Sequence, residues 1–303
     1  MTKTKKKKFF KMGLVNWIIL IVLSLYVILL CSYLLFGLFT SVNTIPVYDE
    51  KIYFPGAKEW KWGFKNYVNV FKSFSVTETL SNQTTIQADF FAMTFNSILF
   101  AGLAAFAKCA AIYLVAYATS RYAYVFSKLI YTFVIVAMVI PIIGSTPSQI
   151  VIIKALGLYE KMTGVALVAF SFLGMYFLVV HAVLQALPKD YAEAAYLDGA
   201  SEWTVMIKIM LPLVWPTIAT IFLIVFIENW NSYGYILIYL RSYPTLSYGV
   251  FKQLQTSGDY SNLMYHPTMK IAGAYLVALP VITLFIVFRN KLMKNVTMGG
   301  VKE

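Results

Sequence analysis

Between residues 186 and 212 the chain reads Leu187-Pro188-Lys189-Asp190-Tyr191-Ala192-Glu193-Ala194-Ala195-Tyr196-Leu197-Asp198-Gly199-Ala200-Ser201-Glu202-Trp203, then runs on to Ile209-Met210-Leu211-Pro212. The chemistry open to these residues is recognition. Ala192, Ala194, Ala195 and Ala200 keep bulk low so that another surface can approach the backbone. The pattern predicts helix, break, helix. Pro188 suits a first helical turn, where a missing N–H is no loss, and Asp190 with Glu193 favours that positive end. Gly199 stops the first piece, Ser201 is positioned to cap the second, Glu202 complements its dipole, and Pro212 closes the segment. From the residues alone two readings stand side by side: a helix on which another protein docks, and an amphipathic connector on lipid headgroups with Tyr191, Leu197 and Trp203 facing inward.

Other reactive constellations are missing from the sequence. No G-x-x-x-x-G-K-[ST] phosphate loop occurs, so any ATP this chain depends on is hydrolysed elsewhere. His181 and His266 lie 85 positions apart, and neither stands in H-E-x-x-H or beside a cysteine at metal spacing. A structural role is expected for each, with His181 hydrogen-bonding a neighbouring helix from within an apolar run. Neither G-x-S-x-G nor a paired-carboxylate arrangement suggests catalysis. Cys31 and Cys109 both fall in apolar runs and read as buried small side chains rather than as a disulfide. The expectation is a chain that is not an enzyme and holds no metal or cofactor.

The elements that carry the loop follow from composition. The chain has 303 residues, 60% hydrophobic and 13% charged, with a mean hydropathy of +0.71; soluble domains are about 45–50% apolar and about 25% charged. A soluble globular enzyme is excluded, and 16 Gly, 10 Pro and 2 Cys also exclude collagen and a disulfide scaffold. A net charge of +12 would suggest nucleic acid in a soluble protein. Here Lys and Arg bunch at the ends of apolar runs, as helix anchors do, so nucleic acid is set aside. A hydrocarbon core of ~30 Å needs about 20 apolar residues per helix. Six runs meet that need, at 14–39, 90–118, 128–150, 163–187, 213–240 and 271–288.

The expected fold is therefore all-α, a polytopic membrane protein with six transmembrane helices. The first run follows Lys3, Lys5 to Lys8 and Lys11, and is too long and aromatic for a cleaved signal. Fourteen Lys and Arg fall on the side of the N-terminus against ten in the longer opposite segments, which puts both termini in the cytoplasm. The organisation expected is a basic cytoplasmic N-terminus at 1–13, a first helix at 14–39 and an extracytoplasmic loop at 40–89 with one short helix around 64–74. A five-helix core at 90–288 with the cytoplasmic loop 186–212, and a cytoplasmic tail at 289–303, complete it.

Glu193-Ala194-Ala195, then Asp198-Gly199-Ala200, then Ile209 and Leu211-Pro212 resemble the EAA loop of ABC importer permeases, in the spacing E-A-A-x-x-D-G-A with a later I-x-L-P. Asn96-Ser97, Ala116-Tyr117-Ala118-x-x-Arg121, Trp230-Asn231 and Met298-Gly299-Gly300-Val301-Lys302 resemble the MalG-like carbohydrate subfamily. Departures are Asn295, where that family has Gly, and Glu303, where it ends in Gly. The resemblance implies that the loop forms coupling helices seated in a groove of a cytoplasmic ATPase. Glu193 would pair with a basic residue there, Gly199 would make the turn between the helices, Ala194, Ala195 and Ala200 would line the contact, and Asp198 belongs to the same coupling set. The tail around Gly300 to Lys302 would reach toward the same ATPase. It further implies a second homologous permease, an ATPase dimer holding ATP and Mg, an extracytoplasmic sugar-binding protein, and a bacterial or archaeal inner membrane. The cargo implied is a carbohydrate, an oligosaccharide first, with glycerol-phosphate or a polyol as the alternative.

Two ionisable residues fall at bilayer depth, Lys108 and Glu228. Such a residue costs at least ~2.5–3.5 kcal/mol on insertion scales and therefore faces protein or water. One reading is a buried ion pair, or a carboxyl bonded to neighbouring helices. The other is that Glu228, Asn229, Trp230 and Asn231 line the translocation path, where polar groups and an indole face can hold sugar hydroxyls. A rival of another class is an ion-coupled secondary carrier with Glu228 as its proton or cation site.

Overall fold

The computed structural model describes residues 13–49, 63–80, 83–122, 124–140, 144–255 and 263–297. The chain divides into two compact units, Met1–Val70 with Asp259–Tyr275, and Phe71–Gly258 with Leu276–Glu303.

In the first unit, α1 (Leu14–Val42) has 29 residues and is about 44 Å long at the helical rise, more than a hydrocarbon core requires. Its apolar side chains are exposed along most of its length, and only Thr40, Ser41 and Val42 are buried. Cys31 is exposed on this helix, not buried as expected. A lipid environment is as apolar as a protein core, so a small thiol there needs no protein cover. The Tyr275 hydroxyl donates to the Leu34 carbonyl. Gly37 makes room for that ring, since a Cβ there would stand 2.8 Å from the Tyr275 oxygen. Extended backbone at Asn43 ends α1, and α2 (Ile45–Asp49) follows. The Asn66 amide, on α3 (Lys65–Ser73), donates to the carbonyls of Ser41 and Asn43, both at 2.9 Å. His266 contacts Thr268 at 2.9 Å and Asp49 at 3.1 Å, a local structural network.

The second unit opens with an antiparallel hairpin, β1 (Ser75–Thr79) and β2 (Thr85–Asp89), with Ser75 opposite Asp89 and Thr79 opposite Thr85. The sequence had suggested only loop here. Val76 and Glu78 point inward on β1 and the threonines outward, so the period-two pattern mixes polar and apolar residues on its buried face. Asp89 then caps α4 (Phe90–Arg121) by accepting from the Ala92 N–H at 2.8 Å. Ala101, Ala104, Ala105, Ala111 and Ala116 are buried along α4, and such small residues let neighbouring membrane helices approach closely.

The remaining elements are α5 (Val125–Val139), α6 (Ser145–Ala155), α7 (Met162–Ala169), α8 (Met175–Ala186), α9 (Asp190–Leu197), α10 (Glu202–Thr204), α11 (Leu211–Trp230), α12 (Gly234–Tyr239) and α13 (Leu246–Gln255). A π-helical turn, Val205–Met210, joins α10 to α11. Finally α14 (Pro267–Thr297) begins in the first unit and runs on in the second. Within the second unit α4 is central, packed against α11, α8, α7 and α5. Cys109, Ile112, Tyr113, Phe177, Leu184 and Val214 are among its buried core.

Four helices among the described residues are long and apolar enough to cross a membrane: Leu14–Val42, Phe90–Arg121, Glu202–Trp230 and Pro267–Phe288. Val125–Val139 and Met175–Ala186 are shorter apolar helices, so all six expected runs contain apolar helix but not all are continuous. The run at 128–150 stops at Val139, with Ile140 extended before Pro141. The run at 163–187 is broken between Ala169 and Met175, where Gly174 adopts φ 125° and ψ −178°, a conformation essentially confined to glycine. The run at 213–240 breaks after Trp230 and resumes at Gly234.

Candidate functional site

Helix α9 is preceded by its cap residue Lys189, whose carbonyl accepts from the N–H groups of Ala192 at 2.9 Å and Glu193 at 3.1 Å. Asp190 and Glu193 occupy its first turn, where the helix dipole favours negative charge. At the other end Gly199 has φ 79°. Its N–H donates to the Tyr196 carbonyl at 3.0 Å, and the Ala200 N–H donates to the Ala195 carbonyl at 2.9 Å. These two bonds make a Schellman motif with Asp198 as the C-cap and glycine in the left-handed position. Ser201 then caps α10, accepting from the Thr204 N–H at 3.3 Å.

The turn presents its residues unequally. Glu193, Ala194, Asp198 and Gly199 are exposed, and Ala200 is half-buried. Ala195 is buried in the core of its own unit, so its small size serves internal packing and it does not line an outer contact. Leu197 is 89% exposed at the tip, beside exposed Tyr191 and Trp203. An apolar tip flanked by carboxylates is a surface that gains by being covered.

Three tyrosines fasten this loop to α4 and to itself. The Tyr122 hydroxyl donates to Glu202 Oε2 at 2.5 Å, and the Tyr196 hydroxyl donates to the same oxygen at 2.8 Å. The Tyr113 hydroxyl donates to the Met206 carbonyl at 2.6 Å, in the π-helical turn. Burial, reinforced by the bond to the Glu202 carboxylate, pushes the Tyr122 and Tyr196 hydroxyls well above the ordinary tyrosine range. Both therefore remain protonated donors. Sequence reasoning assigned Glu202 only to the helix dipole; Tyr122 lies 80 positions away, and no local pattern signals the pairing.

Within the membrane region a cavity of about 190 Å³ is lined by Lys108, Ser171, Glu228, Asn229 and Tyr235, with Phe100 on its apolar side. The break between α7 and α8 supplies Ser171. Lys108 and Glu228 line the same space without pairing: the ion pairs among the described residues are Lys252–Glu78 and His266–Asp49. Glu228 instead accepts from the Tyr176 hydroxyl at 2.9 Å, and the buried Tyr235 hydroxyl has no hydrogen-bond partner among the described residues. Asn229 donates to the Val225 carbonyl at 2.8 Å.

The other two residues of that expected group lie elsewhere. Trp230 is 2% exposed, donates to the Val277 carbonyl at 3.1 Å and stacks on Phe226, so its indole is core and offers no face to a sugar. Asn231 follows α11 and returns its amide to the Ile227 carbonyl at 3.0 Å. Sequence reasoning missed Ser171, Tyr176 and Tyr235, because single polar residues in apolar runs carry no periodic signal. His181 is buried between the rings of Tyr131 and Phe177. No group of three metal-ligating side chains occurs among the described residues.

The remaining motif pieces have local roles. Asn96 donates to the Pro244 carbonyl at 3.0 Å, and the Ser97 hydroxyl accepts from the Leu246 N–H at 2.9 Å, fixing the start of α13 against α4. The tail residues Met298 to Lys302 lie outside the described residues.

Comparison with known proteins matches residues 114–296, which include the loop and Glu228, to the family described as binding-protein-dependent transport system inner membrane component. The arabinooligosaccharide transport permease AraQ of Halalkalibacterium halodurans is 33% identical over 118 residues, covering 38% of this chain and 40% of its own length. AraQ of Bacillus subtilis is 27% identical over 192 residues, covering 62% of this chain and 66% of its own. The alignments thus take in less than two thirds of either relative. The trehalose transport permease SugB of Mycobacterium tuberculosis is 26% identical over 189 residues, covering 62% of this chain and 68% of its own. A chain of a bacterial ABC transporter involved in the import of the acidic polysaccharide alginate shares the fold, with a TM-score of 0.71 and 19% identity over 94% of this chain and 99% of that one. With well over half of its length matched, including the turn at Gly199, this chain belongs to the family of binding-protein-dependent transport system inner membrane components.

Proposed function

We propose that this chain is a permease subunit of an ATP-driven importer, forming part of the translocation path for a carbohydrate, in first place an oligosaccharide. A binding protein delivers the cargo to the outer face, and a second, homologous permease completes the path. A pair of cytoplasmic ATPase subunits holds ATP and Mg. Both termini are placed in the cytoplasm, a reading that the Lys and Arg bias supports.

The observation that carries this reading is the exposed α9–Gly199–α10 turn, fastened to membrane helix α4 through Glu202. A rigid turn with carboxylates and Leu197 at its tip can be gripped from outside, and the tyrosine bonds pass its displacement to α4. Glu193 meets a basic residue of the ATPase, and Ala194 and Ala200 leave room for it. Closure of the ATPase pair on ATP rocks the coupling helices and turns the cavity around Lys108, Glu228 and Asn229 outward; hydrolysis resets it. The second reading for the cargo is glycerol-phosphate or a polyol; Lys108 offers an anion one positive charge, which the Glu228 carboxylate in the same wall offsets.

The test is uptake of radiolabelled arabinooligosaccharide, maltooligosaccharide and glycerol-3-phosphate by cells producing the full transporter. Accumulation of a saccharide that stops when the ATPase subunit is inactivated fits the proposal. Accumulation that follows the ion gradient and survives that inactivation would make the chain a secondary carrier.

A further inference from the structure

The last turn of α4, the first turns of α5 and the coupling helix α9 enclose a cleft of about 820 Å³. Three cations stand in its wall, Arg121, Lys128 and Lys189. None forms an ion pair among the described residues, where the pairs are Lys252–Glu78 and His266–Asp49. Arg121 is the most telling. Its Nη2 rests 3.2 Å from the Met210 sulfur, a weak acceptor, and its Nε is buried with no hydrogen-bond partner among the described residues.

The carboxylates in the same wall do not meet this demand. Glu202 is held by Tyr122 and Tyr196, and Glu193 is exposed. The cleft therefore carries three positive charges that no ion pair neutralises among the described residues. A tetrahedral oxyanion supplies several acceptor oxygens at once and suits a guanidinium fork.

The rim says what bears that oxyanion. Tyr124, Val125, Phe126 and Leu129, on the approach to α5 and its first turns, are 68%, 84%, 76% and 61% exposed. A soluble phosphate gains nothing from such a strip, whereas acyl chains lie along it while their headgroup occupies the polar cleft. Basic pockets between membrane helices take anionic headgroups in this manner. We propose that this cleft holds the phosphate of an anionic phospholipid, with its acyl chains along α5, bridging Arg121 at the end of α4 to Lys189 at the start of α9. The lipid thereby braces the coupling helix against the membrane core.

The test uses the purified transporter complex, delipidated in mild detergent, with phosphatidylglycerol added back and bound lipid counted by native mass spectrometry. Two exposed lysines contribute roughly thirtyfold at a charged headgroup, so the Lys128→Gln/Lys189→Gln variant is expected to bind about thirtyfold more weakly than the wild type. Both positions are exposed, so this variant decides the question even where Arg121→Gln does not yield an intact complex. Equal retention in variant and wild type, or equal binding of phosphatidylcholine, would overturn the proposal. Displacement by millimolar inorganic phosphate would make it a soluble-anion site. Retention only after the ATPase is stripped would show that an acidic protein segment fills the cleft. Either of these outcomes also overturns it.

Discussion

The Tyr196 hydroxyl and the Glu202 carboxylate meet at 2.8 Å across the Gly199 turn, joining the end of α9 to the start of α10. Tyr122 reaches the same oxygen from beyond α4 at 2.5 Å. Glu202→Ala removes both bonds, each of a kind worth about 1.5–3 kcal/mol when fully shielded and less at this exposed site. The expected outcome is transporter that assembles and hydrolyses ATP but imports several-fold less cargo per ATP. Reconstituted vesicles report both rates, and an unchanged ratio would reduce Glu202 to a helix-end charge.

Gly199 stands at φ 79°, where an L residue costs about 1–2 kcal/mol and a β-branched one more. Gly199→Val is expected to abolish uptake while membrane insertion continues, because the strain falls on the turn and no Cβ clash arises there. Immunoblotting of membranes beside uptake separates the two. Wild-type uptake would show that the turn transmits nothing.

In the cavity, Glu228→Gln and Lys108→Gln each remove a charge that no ion pair neutralises among the described residues. Each is expected to raise the apparent KM for uptake with little change in the amount of assembled complex. If the two were instead a structural pair, the single variants would lose complex and the double variant would restore it.

Trp230 makes the opposite case. Trp230→Phe loses the bond to the Val277 carbonyl, typically about 0.5–1.5 kcal/mol. A lower midpoint in thermal unfolding of the purified complex is expected, with the KM for cargo unchanged. A changed cargo preference would return the indole to the path.

The six apolar runs were legible because a bilayer demands long apolar stretches, and the turn at Gly199 because Pro188, Gly199 and Ser201 are local signals with local causes. The hairpin Ser75–Asp89 was not, since its buried face mixes Val76 with Glu78, whose charge is met by Lys252 at 2.7 Å far along the chain. Glu202 and Tyr122 became neighbours only through helix packing, whereas Lys108 and Glu228 were singled out by their depth in apolar runs and do line one cavity. Trp230 and Ala195 show the limit from the other side: a motif gives residue types, and the rotation of the helix decides which face they occupy.

The proposed function makes this loop the place where a cytoplasmic ATPase grips the chain. The most direct measurement is mass spectrometry of the complex purified through a tag on this chain, comparing the native loop with Glu193→Lys. Glu193 is exposed in the first turn of α9, so the change reverses the charge offered to a partner without disturbing the core. A P-loop ATPase and a second permease are expected with the native loop, and the ATPase is expected to fall at least several-fold in the variant while the second permease remains. Equal recovery of the ATPase from both would contradict that assignment.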